Sequence, residues 1–214
     1  MEGWVRMNGR KMWFVIVPVL LFAMLAVCLR AGITVHFEGW AYSEAVEDMS
    51  PALTAVMRFI THMGDSVVVT LFCLALFIVP KPRKTIALPV STAVISSAVL
   101  NFILKNLFTR ERPDILRLIN ETGYSFPSGH AMINASLYTM LALLIFKHME
   151  STSKKAVLTA ICVSLTILIG YSRVYLGVHY ADDVLGGWLF GFAVSMSVYF
   201  VWDGKLPGKG RKPA

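Results

Sequence analysis

Six apolar segments divide the chain: residues 12–29, 66–79, 85–104, 131–146, 156–171 and 184–202. Most approach the roughly 20 residues that a helix needs to cross a bilayer. The second is short alone, so its helix is expected to begin before Gly64. Ahead of it lies a polar connection, residues 30–65, with Glu38, Glu44, Glu47 and Asp48. Ser50-Pro51 reads as a helix start, with Ser as N-cap and Pro at the first position. Leu53, Val56, Met57 and Ile60 then recur at helical spacing, which predicts a short amphipathic surface helix feeding the second span. Pro18 predicts a kink in the first span. Gly186, Gly187 and Gly191 in the sixth permit close helix approach. The expected fold class is all-α: one membrane-embedded domain over 1–214 with six transmembrane helices.

Composition agrees. Hydrophobic residues make up 56% and charged residues 15% of the 214, and mean hydropathy is +0.64, which excludes an ordinary soluble domain. The first segment is long for a signal peptide and no small-x-small cleavage site follows it. Leu25-Ala26-Val27-Cys28 resembles a lipoprotein box, but Val27 is bulky where a small residue is wanted, so an uncleaved span is expected. The three cysteines, Cys28, Cys73 and Cys162, sit in apolar segments without metal-ligand spacing and read as buried thiols. The tail, residues 203–214, is rich in Lys, Gly and Pro and is expected to be disordered.

The net charge of +7 could suggest nucleic acid, but no nucleic-acid motif or internal repeat is present. Its distribution follows the spans instead. The stretches 6–11, 81–84, 147–155 and 205–212 hold 13 Lys and Arg; Arg30, Arg58, Lys105, Arg110, Arg112, Arg117 and Arg173 make 7 on the other side. The positive-inside rule then makes both termini cytoplasmic and puts residues 105–128 and 172–183 together on the outer face.

Three polar clusters lie there. Lys105 and Arg112-Pro113 read either as snorkelling cations or as a clamp for a tetrahedral dianion. Phe126-Pro127-Ser128-Gly129-His130 opens the fourth span; it is an ordinary N-cap or an anion site at a helix N-terminus with His130 at its mouth. Ser172-Arg173, His179 and Asp183 form the third. His179 and Asp183, four apart, share one face if helical. They make either a satisfied pair or a reactive imidazole held by a carboxylate. His62 reads as an interfacial side chain.

Lys, six residues, Arg-Pro; then Pro-Ser-Gly-His; then Ser-Arg, five residues, His, three residues, Asp: this order and spacing resembles the signature of the type 2 phosphatidic acid phosphatase superfamily, with no signature position substituted. Thr61-His62-Met63-Gly64 is weakly similar to that family's second-span entry. The layout is most similar to small bacterial members acting on undecaprenyl pyrophosphate or phosphatidylglycerol phosphate. The family also contains soluble acid phosphatases and vanadium haloperoxidases, which the six spans exclude here.

The resemblance implies a lipid phosphatase. It implies His179 as nucleophile, Asp183 as its orienting carboxylate and His130 as general acid and base. It implies Lys105, Arg112, Arg173, Ser128 and Gly129 as the phosphate-binding set. Neither a metal nor another cofactor is expected, and no nucleic-acid partner. The expected location is the bacterial cytoplasmic membrane, multi-pass, with the site facing outward. Undecaprenyl pyrophosphate is the first expected substrate, then phosphatidylglycerol phosphate and phosphatidic acid, with lipid A a further possibility. A non-catalytic lipid-binding or transport protein on the same fold is the rival reading. Asp182, Arg110 and Arg117 receive no role, although Asp182→Asn is expected to be milder than the same change at Asp183.

Overall fold

A computed structural model of the chain describes residues 9–47, 49–78, 83–114, 116–204 and 206. These fold as eight α-helices and one π-helical turn, with no strand among the described residues. The helices are α1 Gly9–Arg30, α2 Val35–Glu47, α3 Pro51–Met63, α4 Ser66–Ile78, α5 Leu88–Phe108, α6 Gly129–His148, α7 Thr152–Tyr175 and α8 Ala181–Asp203. Five of them are long and apolar enough to cross a membrane. The sixth span is the pair α3 and α4, which meets the same test jointly but is bent by 46° at its break.

Ser50 caps α3 as the sequence predicts, its Oγ accepting from Leu53 N at 3.3 Å. Leu53, Met57 and Ile60 pack against Tyr175, Leu176 and Val178. Val56 lies off that face and is exposed. The expected polar connection before α3 holds a helix of its own, α2. Its acids mark only a polar connection in the sequence, which does not show their partners: Glu38 turns inward to Arg110, while Ala45 packs against Ala131, Val174 and Val184. Helix α5 is entered through the π-turn Arg83–Ala87 and runs one turn past residue 104, so Lys105 sits in its last turn.

Helices α6 and α8 form the centre of the bundle. A Cβ on Gly191 would stand 2.2 Å from Met132 O, and one on Gly187 would stand 2.8 Å from Ala131 Cβ. Hydrogen is the only side chain that lets these backbones approach so closely. Helix α1 covers α8 through Phe22, stacked on Phe126 and tilted against Phe190. Leu20, Met24, Phe102, Ile167 and Val201 point outward and are exposed, as lipid-facing side chains are. The three cysteines are unpaired.

The alternation of helix directions collects the end of α5, the start of α6, the end of α7 and the start of α8 at one end of the bundle. The opposite end is tied by Lys147 Nζ to Asp203 Oδ1 at 2.5 Å and by Lys11 to Asp203 Oδ2 at 3.5 Å. The expected disordered tail lies outside the described residues apart from Asp203, Gly204 and Leu206; Asp203 ends α8 and Leu206 packs into the core. The first basic turn is described only from Arg83 onward.

Candidate active site

Helix α7 ends at Tyr175, and α8 starts at Ala181. His179 stands in the turn between them, not on a helix. The condition for a shared helical face is therefore not met, and His179 and Asp183 meet instead across the start of α8. Asp183 lies in the first turn, where its Oδ2 accepts from Tyr180 N at 2.9 Å, the reach-back half of a capping box. The direct His179 Nδ1 to Asp183 Oδ2 distance is a long 3.4 Å. Ser125 closes the gap. Its hydroxyl lies 3.2 Å from His179 Nδ1 and donates to Asp183 Oδ2 at 2.5 Å. Arg110 holds the other carboxylate oxygen at 2.7 Å, bonds Glu38 at 2.5 Å and lies over the Tyr180 ring.

These contacts set the tautomer. The Ser125 proton is committed to Asp183, so His179 Nδ1 must carry a hydrogen to use its neighbours. Nε2 keeps the lone pair, and Arg112 points an N–H at it from 3.1 Å. Burial pushes His179 down to about 3, with the Asp183 hydrogen bond and charge opposing and Arg112 and Arg173 adding to the fall. The imidazole is neutral at ordinary pH.

Arg112 is fixed by its backbone partners, donating to Val178 O at 2.8 Å, Thr122 O at 2.9 Å and Gly123 O at 3.0 Å. Lys105 donates to Tyr124 O. Arg173 is buried in the last turn of α7, bonded to Thr61 Oγ1 at 2.6 Å and ion-paired with Glu121. Burial would raise the Glu121 carboxyl, but Arg173, His130 and Arg112 outweigh it and hold it below its ordinary value. Ser128, the residue before α6, is buried, and its hydroxyl has no hydrogen-bond partner. It sits where the first N–H groups of α6 open, as an anion site requires.

A cavity of about 240 Å³ gathers Lys105, Arg112, Glu121, Gly129, His130 and His179 on its wall. Five of the eight residues singled out from the sequence thus share one surface. The other three are buried behind it: Asp183 beneath His179, Arg173 beneath Glu121, and Ser128 next to Gly129. A larger apolar cavity of about 460 Å³ lies between α6, α7 and α8, around Tyr138, Thr166 and Trp188, and contains none of these groups.

Sequence reasoning missed Ser125, Glu38, Glu121 and Asp65. Asp65 contacts His130 Nε2 at 2.9 Å. Arg110 gains a place as the partner of Asp183, and Arg117 shapes its loop by bonding Pro113 O at 2.8 Å. Asp182 is fully buried with its carboxyl beside Thr34 and Glu38, and the contacts of His179 run to Asp183, Ser125 and Arg112 instead. The signals available were thin: a polar residue three before Ser128, and an acid directly after a glycine in an apolar context.

The model of the PAP2 superfamily matches residues 86–206, which include every motif residue above. Phosphatidylglycerophosphatase B of Bacillus subtilis (strain 168) is 34% identical over 192 residues, covering 86% of this chain and 91% of that protein. An undecaprenyl-diphosphatase of Sulfolobus acidocaldarius is 31% identical over 148 residues, covering 67% and 68%. The crystal structure of the transmembrane PAP2 type phosphatidylglycerolphosphate phosphatase from Bacillus subtilis superposes with a TM-score of 0.81 at 32% identity, over 94% of this chain and 100% of that one. The chain, multi-pass and helical, belongs to the PAP2 superfamily and is a membrane phosphatase.

Proposed function

We propose that the protein removes a terminal phosphate from a membrane lipid through a phosphohistidine on His179. The observation that carries this reading is the neutral His179 with its Nε2 lone pair on a cavity wall that also holds Lys105, Arg112 and His130.

Phosphate entering that cavity meets Lys105, the Arg112 fork and the open N–H groups of α6 with the Ser128 hydroxyl. Arg173 joins them once the anion displaces Glu121. Nε2 of His179 attacks phosphorus while the bond to the leaving oxygen breaks and His130 gives that oxygen its proton. His130, now neutral, takes a proton from water; the water oxygen attacks phosphorus, the P–N bond breaks and phosphate leaves. Asp183 and Ser125 keep Nδ1 protonated and stabilise the positive charge that the imidazole gains, as an orienting acid does in a Ser-His-Asp triad. The cations and helix N–H groups stabilise charge at the transferring group, so EDTA is expected to leave turnover intact.

A site at one end of the helix ends, flanked by lipid-facing side chains, suits a substrate whose phosphate lies at headgroup depth. The Lys and Arg distribution supports an outward-facing site with both termini cytoplasmic, in a bacterial cytoplasmic membrane. The sequence expectation put undecaprenyl pyrophosphate first. The weight of similarity now favours phosphatidylglycerol phosphate, because the Bacillus subtilis relative carrying that activity in its name matches nearly end to end. Undecaprenyl pyrophosphate is the second reading, favoured by the Sulfolobus relative. The complete set of motif side chains argues against a non-catalytic lipid carrier.

The test is phosphate release by the purified protein from phosphatidylglycerol phosphate, undecaprenyl pyrophosphate and phosphatidic acid, with His179→Ala as blank. Release by the wild type alone, fastest from phosphatidylglycerol phosphate, is expected. Equal release by His179→Ala would remove His179 from the role.

A further inference from the structure

The break between α3 and α4 is pinned to the catalytic start of α6. Gly64 lies against the His130 ring: a Cβ there would stand 3.1 Å from His130 Cδ2, 2.8 Å from Asn134 Nδ2 and 2.7 Å from Ile169 Cγ2. Asn134, one turn into α6, donates to Gly64 O at 3.1 Å and to His130 O at 2.9 Å. The next residue along the break is Asp65. Its Oδ1 lies 2.9 Å from His130 Nε2, and its Oδ2 lies 2.7 Å from Nδ1 of the exposed His62.

We propose that Asp65 is the positioning residue of His130, the counterpart of what Asp183 is for His179. The inference rests on the role proposed for His130 and adds the group that lets it perform that role. With Nε2 held by Asp65, only Nδ1 of His130 remains to give a proton to the leaving oxygen. The carboxylate also stabilises the protonated ring, which a general acid needs at the start of the cycle. Gly64 and Asn134 explain the geometry. The first removes the side chain that would push the break away from the ring; the second ties the break to the same turn of α6. The 46° bend of the second span therefore serves to bring a carboxylate from another span to His130.

The two candidate substrate chemistries separate this role from a structural one. An alkyl phosphate, such as phosphatidylglycerol phosphate, expels an alkoxide and needs a proton donor. A lipid diphosphate expels a phosphate, a far better leaving group, and needs the donor much less. Because kcat/KM reports the steps up to the first phosphoryl transfer, it isolates this difference. The isosteric D65N in the full-length protein in detergent is expected to lower kcat/KM about 10²-fold on phosphatidylglycerol phosphate, the lower end for a general acid. On undecaprenyl pyrophosphate the loss is expected to stay below about tenfold. With the diphosphate, the second step still needs His130 as base, so an alkali-stable phosphohistidine should build up in D65N and not in the wild type. Asn134→Ala, which frees the break while leaving the carboxylate, should show the same split in weaker form. Equal loss on both substrates, or no accumulation of phosphoenzyme, would overturn the assignment. His130→Ala distinguishes the two levels of the claim. If it shows the split and D65N does not, Asp65 is wrong and His130 stands; if neither variant shows it, the role of His130 itself fails.

Discussion

His179 has two nitrogens made unequal by three neighbours. Ser125 and Asp183 take the Nδ1 side, and Arg112 faces Nε2. The Ser125 hydroxyl bridges a His–Asp separation that is too long for a strong direct bond, so Ser125→Ala is expected to lower kcat about tenfold with KM little changed, a modest share of what an orienting group contributes. A loss confined to KM would mean that Ser125 binds substrate instead. Burial gives a second consequence. His179 stays unprotonated until about pH 3, whereas in the unfolded chain it titrates near 6.5. The unfolded state thus binds a proton that the folded state refuses. The stability from this site is fully present above about 6.5 and is lost as pH falls toward 3. Between pH 7 and 5 the loss is about 2 kcal/mol. The melting temperature of the wild type should fall over that interval more steeply than that of His179→Gln; parallel curves would contradict a buried neutral imidazole.

The elements that the sequence displayed most openly were those defined by hydropathy and by helix caps. Ser50-Pro51 begins α3 where the sequence placed that start, because the Ser50 cap is a local hydrogen bond, and α6 begins at Gly129 directly after Ser128, as the Pro-Ser-Gly run suggested. The glycines of the sixth span lie against α6 as their small size suggested. What stayed hidden depended on partners far along the chain. Helix α2 lies in a stretch that the sequence shows only as a polar connection, because Glu38 faces Arg110, 72 residues away. The spacing of His179 and Asp183 allows a shared helix face but cannot show that the helix begins only at Ala181. Asp65 was invisible as a functional group because its partner is 65 residues on. The α6–α8 contact gives a direct check. Gly191→Val would force a Cβ against the Met132 carbonyl and is expected to cost about 1–3 kcal/mol through overpacking. Thermal unfolding in detergent measures it; an unchanged melting temperature would show that the helices have room to part.

At the scale of the molecule, the bundle holds charge at its two ends and carries apolar side chains between them. One end, tied by Lys147, Lys11 and Asp203, has no motif residue. The other brings His179 and His130, the carboxylates Asp183 and Asp65 that bind them, and the cations Lys105, Arg112 and Arg173 together from α5, the loop after it, α6, α7, the turn before α8, the first turn of α8 and the α3–α4 break. No single span contains the site, so the catalytic arrangement exists only when the spans are packed. Glu121 adds a feature of the whole loop between α5 and α6: its carboxylate ties that loop to Arg173 in the last turn of α7.

The phosphohistidine proposed on His179 is the step on which the mechanism turns. Lipid phosphate carrying radiolabelled terminal phosphate, mixed with the purified protein and quenched in alkali within one turnover, tests it directly. An alkali-stable, acid-labile label on the peptide containing His179, absent in His179→Ala, is expected. Turnover without label on that peptide, or label retained in His179→Ala, would contradict it.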